Sequence, residues 1–97
     1  MSTYRAPLKD IQFALRELAG LDEVLALPGA EEVNGELVDA VVAEAGKFAQ
    51  EILDPLNHTG DREGAQLEHG QVHAPAGYTA AYAQFVAAGW NGLTGDI

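Results

Sequence analysis

His58, His69 and His73 are the residues best suited by type to hold a metal or to move a proton near neutral pH. His69 and His73 lie four apart, a spacing that would put two imidazoles on one helix face. Their glycine-rich surroundings instead predict a turn and a strand. No HExxH, no cysteine and no cluster of inward carboxylates accompanies them. All three therefore read as exposed loop histidines. Thr59 beside His58 pairs a hydroxyl with a base in sequence only, and nucleophilic catalysis needs the two oriented. Asp61-Arg62-Glu63 is a charge cluster in which Arg62 is the only Lys or Arg after Lys47. It reads as a salt-bridged turn, or as a contact to a partner domain or ligand. Nothing in the pattern lifts Glu63 or Glu68 above solvated carboxylates. Gly89, Gly92 and Gly95 fall three apart, which matches neither GxGxxG after a strand nor a Walker A loop. Tyr78, Tyr82, Phe85 and Trp90 form an aromatic series suited to core packing or to a docking surface. The sequence thus assigns no catalytic, cofactor-binding or metal-ligating residue.

The elements that carry these side chains are organised around residues 35–56, GELVDAVVAEAGKFAQEILDPL. Leu37, Val38, Val41, Val42, Ala45, Phe48, Ala49, Ile52, Leu53 and Leu56 recur at three- and four-residue intervals. This predicts one long amphipathic helix, with Glu36, Asp39, Glu44, Lys47, Glu51 and Asp54 opposite. Asn34 suits its N-cap, and Glu36 complements the dipole. Gly46 costs about 1 kcal/mol relative to alanine, which points to another segment crossing closely there. Pro55 is expected to kink or end the helix near Asp54. Upstream, Pro7 opens a first helix over about 8–19 with Leu8, Ile11, Leu15 and Leu18 as its stripe, and Gly20 stops it. Residues 21–27 supply a further turn or two before the Pro28-Gly29 breaker. Downstream, 57–77 reads as irregular. Within it 65–67 and 71–73 flank Glu68-His69-Gly70 as a small β-hairpin. Helical spacing returns over 77–89, and 90–97 is a turn-rich tail in which Trp90 and Leu93 cover the end of the core.

The totals agree with an all-α fold: a small helical domain built on that long helix. The chain has 97 residues, room for one modest core, and a net charge of −10. Nine acidic residues and the single base Lys47 lie between Asp22 and Asp54, a surface that repels phosphate backbones and anionic lipid. Nucleic-acid and membrane binding are accordingly not expected. There is no cysteine, the N-terminus lacks the apolar run of a signal peptide, and no stretch reaches transmembrane length. A cytoplasmic location follows as the expectation. The ten-residue apolar stripe is wider than the two flanking helices can cover, and the chain ends just past a glycine-rich bend with no closing element. Both features predict further polypeptide packed against it.

Particular residues add a resemblance. Tyr4 to Gly20, YRAPLKDIQFALRELAG, is similar to the N-terminal extension of one branch of the acyl-CoA dehydrogenase family. LDPLNHTGDREGAQLEHGQV (53–72) and PAGYTAAYAQFVAAGWNGL (75–93) resemble that branch's N-terminal helical domain, in the same order. The most specific parts are Leu56-Asn57 followed by Gly60 to Gly64, and Ala88 to Leu93. The resemblance implies residues 1–34 as the extension and 35–97 as a helical domain incomplete at its C-terminal end. It also implies a parent enzyme that removes the α and β hydrogens of an acyl-CoA thioester: a carboxylate takes the proton and FAD the hydride. In that family the base and most flavin contacts lie in central and C-terminal domains, so no catalytic role transfers to any residue here, Arg62 included. The expected product is thus an N-terminal fragment, structural and inactive alone, without FAD of its own. Its partners would be the remaining domains of a homo-oligomeric subunit. The alternative is a stand-alone acidic helical module that binds a partner protein.

Overall fold

The computed structural model describes residues 3–95. Met1, Ser2, Asp96 and Ile97 lie outside the described residues, and with them the ends of the expected lead-in and tail. The architecture is all-α with one small hairpin, as the periodicity requires. Contacts divide it into two units, 3–51 and 52–95, and the division falls inside the long helical run.

In the first unit, Pro7 caps α1 (Leu8–Phe13), which passes into a π-helical turn, Ala14–Leu18. α2 (Leu21–Leu25) follows Gly20, and both helices pack against α3 (Gly35–Phe48). Leu8, Ile11 and Leu15 are half-buried as their spacing predicts. Leu18, assigned to the same stripe, is instead 77% exposed. The wider turn of a π-helix carries each side chain through a smaller angle, so Leu18 falls short of the inward face. Asn34 caps α3 from an extended backbone, its Oδ1 accepting the Leu37 N–H at 2.8 Å. Gly46 is buried where the lead-in crosses: a Cβ there would stand 2.9 Å from Ala6 Cβ and 3.2 Å from Leu8 Cδ2. The Ala6 N–H donates to Gln50 Oε1 at 2.8 Å and fixes the crossing strand of chain.

Pro55 does not end the helix. A second π-turn, Ala49–Leu53, resets the hydrogen-bond register, so Pro55 stands in the first turn of α4 (Asp54–Glu63). There its missing N–H leaves no bond broken. Residues 57–63, expected to be irregular, are consequently helical.

In the second unit α4 leads into strands β1 (Gln66–Glu68) and β2 (Gln71–His73), paired antiparallel with Leu67 opposite Val72. Glu68 belongs to the strand rather than the turn. The loop is His69-Gly70 alone, with φ of 52° and 76°. Two left-handed residues in a two-residue loop make the type I′ geometry that matches strand twist. α5 (Tyr78–Ala87) follows Gly77, and Trp90–Gly92 form a 3-10 turn. Gly60, buried on α4, lets the Tyr78 ring lie against its backbone. Trp90 is half-buried as expected, but Leu93 is 64% exposed and covers nothing. Among the described residues Ala81 is the one buried hydrophobic side chain. The long stripe of α3 to α4 is half-buried at most of its positions, with Leu37 and Leu53 exposed.

Candidate functional site

The candidate chemical residues are held apart. His58 lies on α4, His69 in the hairpin loop and His73 on β2, all exposed. Among the described residues no group of three or more His, Cys, Asp or Glu could hold a metal ion. The Thr59 hydroxyl is spent on its own helix, 3.4 Å from the carbonyl oxygens of both Pro55 and Leu56, so it is not poised against His58.

Asp61-Arg62-Glu63 closes α4 rather than forming a loop. Arg62 sits in the last turn, where its charge complements the carbonyl end of the helix. The member with long-range partners is Glu63. Its Oε2 accepts the Ala76 N–H at 2.9 Å, and its carbonyl oxygen accepts from Gln66 Nε2 at 2.6 Å. Together these bonds tie both arms of the hairpin to the end of α4. Acceptance of a backbone N–H by a carboxylate is a structural role, and no nucleophile or second acid faces it.

Among the described residues the ion pair is Arg16 with Asp39, at 2.8 Å. It joins the π-turn after α1 to the first half of α3. The Asp39 carboxylate, by its hydrogen bond and then by its charge, raises the guanidinium pKa above its ordinary value. Both side chains are part-exposed, so the pair fixes orientation more than it stabilises. Sequence reasoning had no signal for this pair, because the partners are 23 residues apart on separate helices. Gly89, Gly92 and Gly95 are explained locally: the Gly92 N–H donates to Gly89 O and the Gly95 N–H to Gly92 O, each at 3.0 Å. Their spacing is the period of successive tight turns, not a phosphate loop.

The aromatic series divides. Tyr78 packs on Gly60, and Phe85 and Trp90 are half-buried, whereas Tyr82 is 65% exposed and stacks on Phe85 with centroids 6.2 Å apart. Among the described residues no buried side-chain polar atom lacks a partner. No helix among them is long and apolar enough to cross a membrane. The arrangement offers apolar surface and fixed backbone geometry; it does not bring an acid, a base and a nucleophile together.

No family model matches the chain. It is 44% identical over 92 residues, 95% of its length, to a 3-methylmercaptopropionyl-CoA dehydrogenase of Ruegeria pomeroyi, an acyl-CoA dehydrogenase. The chain spans 16% of that protein's length. The resemblance drawn from its segments is therefore borne out, and the chain is related to the acyl-CoA dehydrogenases over a small part of such a protein.

Proposed function

We propose that the chain is the N-terminal helical portion of a cytoplasmic, FAD-dependent acyl-CoA dehydrogenase, with residues 1–34 as an extension and 35–97 as the start of the helical domain. The observation that carries this reading is the 44% identity across 95% of the chain to a protein of which it forms 16%. In the whole enzyme an acyl-CoA thioester loses a proton and a hydride across its α and β carbons. This chain's share is architectural: it walls part of the cleft and packs on the rest of a homo-oligomeric subunit. The separated histidines and the structural engagement of Glu63 support a role without catalytic groups of its own. So does the exposed apolar surface, which a self-sufficient domain would have covered.

The test is a replacement. The matched segment of the Ruegeria protein is exchanged for this chain, and dehydrogenation of 3-methylmercaptopropionyl-CoA is assayed beside the isolated chain. The proposal expects a flavin-containing, active chimera and an isolated chain with neither flavin absorbance nor activity. Stoichiometric FAD on the isolated chain would overturn it. The exposed apolar surface also fits a stand-alone module that binds another protein. An open reading frame continuing past residue 97 for several hundred codons would remove that reading.

A further inference from the structure

α5 has the composition of a helix enclosed on every side. Its sequence, YTAAYAQFVA, holds no Asp, Glu, Lys, Arg or His, and only Thr79 and Gln84 are polar apart from the tyrosine hydroxyls. A helix that is apolar all round belongs in an interior, because a solvated helix face normally carries charge. In the second unit only one side of α5 is covered: Ala81 is buried, Phe85 is half-buried and Tyr78 lies on Gly60. Thr79, Tyr82, Ala83 and Val86 follow the i, i+3, i+4, i+7 pattern and span an arc of about 100° at 3.6 residues per turn. All four are exposed, Tyr82 to 65% and Val86 to 41%.

Resting on the reading of the chain as part of an acyl-CoA dehydrogenase subunit, we propose that this Thr79–Tyr82–Ala83–Val86 face is the seat of polypeptide from elsewhere in the same subunit. Two observations select that occupant. The chain accounts for 16% of its relative's length, so most of such a subunit lies outside it. A second copy of this chain is the competing occupant, but it would bring a net charge of −10 against −10, and the face carries no cation to offset the repulsion. The small Ala83 between Tyr82 and Val86 allows close approach of the incoming backbone, with the Tyr82 ring supplying most of the buried area.

Hydroxyl-radical footprinting with mass spectrometry reads the face directly, on the free chain and on the active chimera described above. The expected result is a fall of about fivefold or more in oxidation of Tyr82 and Val86 in the chimera, as burial of side chains this exposed requires. An active chimera in which both residues react as fast as in the free chain overturns this inference and leaves the assignment to the enzyme standing. A chimera that neither assembles nor turns over substrate overturns the assignment and this inference with it. Protection that appears in the free chain as its concentration is raised, with dimers in sedimentation, overturns the choice of occupant in favour of a second copy.

Discussion

Replacing Gly46 by alanine sets two opposed effects against each other, and the structure decides between them. Glycine within a helix costs about 1 kcal/mol relative to alanine, so propensity alone makes G46A stabilising. The new Cβ, however, would stand 2.9 Å from Ala6 Cβ, where carbon atoms rest at about 3.5–4.0 Å. Leu8 Cδ2, at 3.2 Å, can rotate away. Ala6 Cβ has no torsion to retreat through, so its backbone must move and strain the 2.8 Å bond from the Ala6 N–H to Gln50. Overpacking of this kind costs about 1–3 kcal/mol. Taking about 2 kcal/mol for the clash and about 1 kcal/mol for propensity, G46A is destabilising by about 1 kcal/mol. In an A6G background the obstruction is gone, and the same substitution should stabilise by about 1 kcal/mol. Urea unfolding followed by far-ultraviolet circular dichroism on the four variants closes the cycle, with a coupling of about 2 kcal/mol expected. If G46A stabilises equally in both backgrounds, the lead-in does not cross α3 at Gly46 and the packing described for the first unit is wrong.

Three further outcomes follow from named contacts. Asn34→Ala removes the acceptor of the Leu37 N–H and should cost about 1 kcal/mol in the same unfolding assay, while Asn34→Asp should cost little. Glu63→Ala should speed hydrogen exchange at the Ala76 amide, and Glu63→Gln, which keeps an acceptor oxygen, should largely restore protection. The Gly29 N–H, 3.1 Å from Glu31 Oε1, is the main cause holding the Glu31 carboxyl below its ordinary value of 4.5, with the Glu31 backbone N–H second. A depressed folded-state pKa gives a contribution complete above 4.5 and lost as pH falls through the folded value. Side-chain carboxyl NMR titration should place Glu31 below the exposed Glu32, and Glu31→Gln should flatten the acid limb of the stability profile.

The sequence made the helical architecture legible because its signals are local. The three- and four-residue periodicity of 35–56, the Asn34 cap and the close approach at Gly46 each follow from backbone chemistry at one place in the chain. The hairpin was legible in kind, but its loop is the two left-handed residues His69 and Gly70 rather than three. What escaped were the π-turns. They leave no mark in composition, yet one turns Leu18 outward and the other lets the helix run through Pro55 to Glu63. The ties Arg16–Asp39 and Glu63–Ala76 escaped as well, since each joins residues far apart in sequence. Arg62 drew the eye as an isolated cation, whereas its neighbour Glu63 is the residue that organises the turn.

The central claim is that this chain does the structural work of the segment it matches in an acyl-CoA dehydrogenase. The most direct measurement is anaerobic bleaching of the flavin when 3-methylmercaptopropionyl-CoA is added to the chimera carrying this chain in place of the Ruegeria segment. The account predicts bleaching to the same extent as in the parent enzyme, at a rate within about tenfold of it, a difference of about 1.4 kcal/mol in barrier. A folded, flavin-loaded chimera that the thioester fails to bleach would contradict it.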